Sequence, residues 1–141
     1  MLLDANILLY SIDSDSPFHD AASDWLTRVL RGDRRVALPW STISAFLRIA
    51  THPRIYDRPL TGEGAARFVS DWLDCDPVWI PPTSPRTFRH YRSLCEVHQI
   101  TGNLVPDALL AATALENGLI VMTTDSDFSR FEEVQSMNPL R

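Results

Sequence analysis

Apolar residues recur along this chain in two rhythms, and the alternation between them marks out its elements. Unbroken apolar runs occur at Met1-Leu2-Leu3, Val36-Ala37-Leu38, Val78-Trp79-Ile80 and Leu119-Ile120-Val121-Met122. A run without polar alternation suits a strand covered on both faces, as in a parallel sheet. Between these runs the spacing turns helical. Helices are predicted from Ala5 through Tyr10, from Pro17 to about Arg31, and over Ser41–Thr51 with Ser41 as N-cap. Further helices are predicted from Thr61 to about Leu73, from Ser84 to about Val97, and over Ala108–Asn117 after Val105-Pro106-Asp107. His52-Pro53 ends the third of these, since the residue before proline avoids the α region. Gln99–Val105 reads as a loop, and the tail Val134–Leu140 can add one edge strand. The strand-helix alternation implies an α/β fold with a mainly parallel sheet of four to five strands flanked by helices.

The apolar runs at each end of the chain turn acidic where they stop. Leu3 is followed by Asp4, and Met122 by Thr123-Thr124-Asp125-Ser126-Asp127. Asp4 and Asp125 then emerge at the carboxyl edge of the sheet, where open α/β sheets bind ligands. The helix opened by Asp107 leads into the Leu119 strand, so its amino end returns to that same edge. Each aspartate taken singly has a structural explanation. Asp4 can cap the Ala5 helix, Asp125 can form an Asx-turn, and Asp107 can complement a helix dipole. Three at one edge require neutralisation by protons or by a cation.

Oxygen ligands without histidine or thiolate partners point to magnesium or manganese, and that pairing favours phosphate-ester hydrolysis. Asp4, Asp107 and Asp125 are the candidate metal ligands and catalytic residues. Asp127 is either a fourth acid of the site or a cap for the Phe128-Ser129-Arg130 turn. Asn6 and Thr124 are candidates for orienting the carboxylates, though local turn chemistry explains both equally well.

Composition narrows the classes. A chain of 141 residues with 45% apolar content predicts one soluble domain over residues 1–141 with a real core. No apolar run reaches membrane length and no secretory leader pattern is present, which predicts a cytoplasmic protein. Cys75 and Cys95 read as free thiols, and His19, His52, His90 and His98 lack ligand spacing. A net charge of −5 argues against non-specific nucleic-acid binding by the whole surface. All thirteen basic residues are arginine, which excludes chemistry that needs a lysine, such as a P-loop. Arg48 and Arg54, with Arg58, are candidates for gripping a polynucleotide, since guanidinium forks suit phosphate.

As a set, the motifs Leu3-Asp4-Ala5-Asn6-Ile7-Leu8-Leu9-Tyr10, Gly102-Asn103-Leu104-Val105-Pro106-Asp107-Ala108 and Thr123-Thr124-Asp125-Ser126-Asp127-Phe128 resemble the PIN domain. They are most similar to VapC-type toxins of bacterial type II toxin-antitoxin systems. Leu38-Pro39-Trp40 and Phe46-Leu47-Arg48 through His52-Pro53 resemble an actinobacterial branch. The resemblance implies a three-layer PIN fold and a magnesium- or manganese-dependent endoribonuclease acting on transfer, ribosomal or messenger RNA. It also implies a VapB-type antitoxin that covers the site, and commonly a homodimer. By position Asp4, Asp107 and Asp125 match three acids of the family site, and Asp127 an accessory one.

One departure stands out. The family usually carries a glutamate on the helix after the second strand, where this chain has Ala45. No acid occurs between Arg34 and Tyr56. That gap motivates a second reading, a PIN-fold protein that binds RNA or an antitoxin with weak or no catalysis. A small-molecule phosphatase is a third reading and would need a closed pocket or cap.

Overall fold

The computed structural model describes all 141 residues. Five short parallel strands form the sheet: β1 (Leu2–Leu3), β2 (Val36–Ala37), β3 (Val78–Trp79), β4 (Val121–Met122) and β5 (Ser136–Met137), in the order β3-β2-β1-β4-β5. Six helices connect them: α1 (Ala5–Ile12), α2 (His19–Leu30), α3 (Trp40–Ala50), α4 (Gly62–Leu73), α5 (Pro85–Val97) and α6 (Leu104–Asn117). A 3-10 turn over Ser126–Arg130 lies between β4 and β5. The tail thus adds an edge strand, as its sequence allowed.

The unbroken apolar runs follow from burial on both faces. Leu3, Val36 and Met122 point into one core with Leu8, Leu26, Phe46, Val69 and Trp72 from α1 to α4. Their neighbours Leu2, Ala37 and Val121 point into a second core with Leu94, Ala108, Ala111, Phe128 and Phe131. The result is three layers, with α1–α4 on one face of the sheet and α5–α6 on the other. The alanines of α6, Ala108, Ala111, Ala112 and Ala114, are all buried. Gly118 ends α6 at φ 62°, in the left-handed region, and its N–H donates to the Ala114 and Leu115 carbonyls.

Two boundaries differ from the sequence reading. Helix α3 starts at Trp40 with Pro39 in the capping position, so Ser41 lies inside the helix and is not its cap. Proline cannot donate, but its carbonyl accepts the first helical bond, from Ile43 N at 3.0 Å. Helix α6 starts at Leu104, which takes Leu104 and Val105 out of the expected loop. The missing N–H of Pro106 falls among first-turn groups that have no helical partner anyway.

The topology places one edge apart from the rest. From β1 the chain first builds outward through β2 and β3, then returns to add β4 and β5 on the other side. The direction of winding reverses between β1 and β4, and ligands of such sheets bind beyond the carboxyl ends of the strands at that reversal. Asp4 follows β1 and Asp125 follows β4.

Candidate active site

Asp4 leaves the sheet while still tied to it, its backbone N–H donating to Met122 O at 3.0 Å. Its carboxylate serves both readings open to it. Oδ1 accepts the Ala5 N–H at 2.7 Å and caps α1. Oδ2 accepts the Thr123 hydroxyl at 2.7 Å and the Asn6 amide at 3.1 Å. Thr123 is only 3% exposed and uses its full valence. It donates to Asp4 and accepts from Asn6 Nδ2 and from the Asp125 N–H, each at 3.1 Å. Asn6 Oδ1 accepts the Thr124 N–H at 3.4 Å. A closed polar ring therefore locks the ends of β1 and β4 together. The Thr42 hydroxyl donates to Leu3 O at 2.7 Å and pins the first turn of α3 to the same edge.

Asp125 caps the 3-10 turn through Oδ1, which accepts the Asp127 N–H at 2.8 Å. Asp107 lies in the first turns of α6, half-buried. Its carboxyl is pushed up to about 6, first by burial and then by the negative charges of Asp4, Asp125 and Asp127, with Arg130 opposing. Asp4 is also raised, mainly by burial; the Thr123 and Ala5 bonds oppose the rise and Asp125 adds to it. Coulomb terms of this kind need proximity. The fold therefore brings together the four acids predicted from sequence, drawn from three separate segments.

The donor set is all carboxylate, which suits a hard divalent cation. No three of these acids close into a ready cage of ligands. That arrangement is compatible with magnesium, which keeps several waters and takes only one or two protein carboxylates directly.

Sequence reasoning missed two residues and misplaced one. The orienting threonine is Thr123; Thr124 contributes its backbone N–H to Asn6 rather than its side chain. No sequence signal separates the two threonines: both follow the apolar run directly, and only the fold buries Thr123. Arg130 is the basic group facing the acids, held by its Nε donating to Asp127 O at 3.2 Å. Arg48 and Arg54 lie outside the cluster, both exposed and neither in an ion pair. Arg48 is six residues beyond Thr42, about 9 Å along α3 at 1.5 Å per residue. Ala45 lies half-buried against the first core, and α3 presents no acid.

Two grooves, of about 670 and 710 Å³, lie elsewhere. One lies between Asp13, Tyr56 and Arg58, the other between Arg31, Arg35 and Asp76. The acids occupy a sheet edge rather than either groove, so the enclosed pocket that a small-molecule phosphatase requires is not supplied by these grooves.

The family match follows this geometry. The PIN domain matches residues 1–134. This chain belongs to the PIN-domain family. Within the family it is similar to Mycobacterium tuberculosis proteins named ribonuclease VapC37 and ribonuclease VapC31. The identity is 39% and 36%, over 98% of this chain and 96% and 97% of theirs. The PIN fold is shared with a VapBC2 structure from Rickettsia felis bound to a promoter DNA fragment (TM-score 0.71, 19% identity, 97% and 96% of the two chains). It is also shared with Mycobacterium tuberculosis VapC20, described as a Sarcin-Ricin loop cleaving toxin (TM-score 0.67, 14% identity, 92% of each chain). At these identities the structural comparisons speak to the fold alone. Asp4, Asp107, Asp125 and Asp127 all lie within the matched residues, and position 45 is an alanine. No helix is long and apolar enough to cross a membrane.

Proposed function

We propose that this PIN domain is the toxin of a type II toxin-antitoxin pair, an endoribonuclease that hydrolyses RNA phosphodiester bonds with magnesium or manganese. The observation that carries the reading is a half-buried Asp107 at an open sheet edge, its carboxyl pushed up to about 6 first by burial and then by the charges of Asp4, Asp125 and Asp127. At neutral pH that cluster is a concentration of negative charge with one arginine beside it, and a divalent cation would relieve it. Asp4, Asp107 and Asp125 would hold the ion, directly or through water, with Asp127 beside them. Bound there, the ion supplies Lewis-acid polarisation of a phosphoryl oxygen and activation of a water. The chain's own contribution is orientation. Thr123 and Asn6 fix the rotamer of Asp4, and Arg130 offers a guanidinium to the scissile phosphate or to the leaving oxygen. The relatives' names and full-length similarity support ribonuclease activity, and the open edge suits a polymer. The VapBC neighbours support a VapB-type antitoxin as partner.

Ala45 favours a second reading, a PIN-fold protein that binds RNA or antitoxin with little cleavage. Both are tested by incubating total RNA with the protein in magnesium, manganese or chelator, beside Asp4→Asn. Metal-dependent cutting that the variant loses by at least tenfold supports the enzyme. RNA binding without cutting supports the second reading. Equal cutting by wild type and variant would mean that the site lies elsewhere.

A further inference from the structure

The surface of α5 is unlike the rest of this acidic molecule. Within eight residues it carries Arg86, Arg89, His90 and Arg92, with no acid until Glu96. All three arginines are exposed. The one arginine ion pair in the structure is Arg67–Glu63 on α4. The nearby Glu116 carboxyl is lowered first by the Thr87 and Ser84 hydroxyls and then by Arg86 and His90, which do not pair with it, and Arg89 and Arg92 have no carboxylate partner. Arg86 stands in the first turn of α5, where a cation is unfavourable and no acid of the helix itself offsets it. Neither salt-bridge stabilisation nor helix electrostatics accounts for them.

Aromatic groups interleave with these charges. Phe88 is 61% exposed and stacks on Tyr91, with ring centroids 5.9 Å apart and planes 26° apart. Phe88, Tyr91 and Arg92 follow an i, i+3, i+4 pattern and share one face of the helix. An exposed phenylalanine stacked on a half-buried tyrosine beside exposed guanidiniums is the combination that single-stranded nucleic acid meets in proteins, with bases on rings and phosphates on arginine.

The position of α5 gives this face a relation to the acids. The Ser84 hydroxyl donates to Glu116 Oε1 at 2.8 Å, and the Thr87 hydroxyl donates to the same carboxylate. The amino end of α5 therefore sits beside the carboxyl end of α6, and Asp107 lies at the opposite end of α6. Nine residues separate Asp107 from Glu116, about 14 Å of helix. About four nucleotides of a helical strand span that length at ~3.4 Å each.

We propose that the exposed face of α5, built from Arg86, Arg89 and Arg92 around the Phe88–Tyr91 pair, is a second RNA-binding surface. It holds substrate a few nucleotides away from the acidic edge where the bond is cut. The inference rests on the ribonuclease reading for its ligand. It explains how a chain of net charge −5 can hold a polyanion: by one local basic strip rather than by the surface as a whole.

The test reads binding separately from cutting. Labelled total transfer RNA and ribosomal RNA fragments are titrated in chelator against wild type and a triple variant, Arg86→Gln, Arg89→Gln and Arg92→Gln. Glutamine keeps helix propensity on an exposed face. A second triple variant with lysine at the same positions, and Phe88→Ala alone, are run beside it, with circular dichroism and light scattering on each. The glutamine variant is expected to bind at least tenfold more weakly, with the slope of log Kd on log salt reduced by about 2. The lysine variant should recover most of the affinity, and Phe88→Ala should weaken binding several-fold at unchanged salt slope. Equal affinity and salt slope for wild type and the glutamine variant would overturn the proposal. So would a glutamine variant whose only change is oligomeric mass, which would make α5 a contact between copies of the chain. Binding lost in the α5 variants by a protein that cuts no RNA would leave the proposal standing and remove the ribonuclease reading instead.

Discussion

Asp107 is the residue at which function costs stability. Its folded-state carboxyl lies near 6, above the ~3.9 of an unfolded aspartate. Between those values the folded chain keeps a proton that the unfolded chain has released. Stability therefore falls as pH rises from about 4 to about 6, and the loss persists above that range. A shift of two units corresponds to ~3 kcal/mol, cut to about 1 kcal/mol because the side chain is half-exposed. Asp107→Asn should accordingly melt ~3 °C higher than wild type at pH 7.5 in chelator and equally at pH 3.5, while abolishing cleavage. A variant that melts lower at pH 7.5 would contradict this account. Thr123 carries the opposite balance. Thr123→Val leaves the Asp125 N–H without its acceptor and takes one of two acceptors from the Asn6 amide, a cost of ~1–3 kcal/mol in urea unfolding. It also removes a bond that lowers the Asp4 carboxyl. The acid limb of the RNA-cleavage pH profile should move upward in Thr123→Val and stay in place in Thr123→Ser.

At the level of elements, the site is a product of where strands and helices stop. Gly118 lets α6 end in time for β4, and its φ of 62° makes Gly118→Ala cost ~1 kcal/mol by thermal melting with little change in cleavage per folded molecule. Much of this was legible in the sequence. The unbroken apolar runs gave the parallel strands, and acids just after Leu3 and Met122 gave the edge. Asp107 was legible because an alanine-rich helix had to return there. Partner choice was not legible. Thr123 and Thr124 are identical in local pattern, and only the pairing of β1 with β4 decides which hydroxyl meets Asp4. Arg130 was hidden for the same reason, since the 3-10 turn that aims it carries no periodic signal. The Ser41 cap and the start of α6 failed where proline's unusual geometry outweighed ordinary capping preference. On α3 the absent acid remains a position to rebuild. Ala45→Glu is expected to raise metal-dependent cleavage several-fold, and lower cleavage with intact folding would show that Ala45 is not the family's glutamate position.

For the whole molecule, a cation bound at the acidic edge as proposed would be linked to folding. A ligand that binds only the native state stabilises by RT ln(1 + [L]/Kd), about 2.7 kcal/mol at a hundredfold excess over Kd. Magnesium should therefore raise the melting temperature by several degrees over chelator in wild type, and by far less in Asp107→Asn. An equal rise in both would place the ion elsewhere. The bond from Thr123 to Asp4 has a consequence in time. Its partners stand 119 positions apart, and ribosomes add roughly 5–20 residues per second. On the order of ten seconds separates the making of the first aspartate from the strand that completes its surroundings. A nascent chain thus lacks the completed acidic edge for most of its own translation.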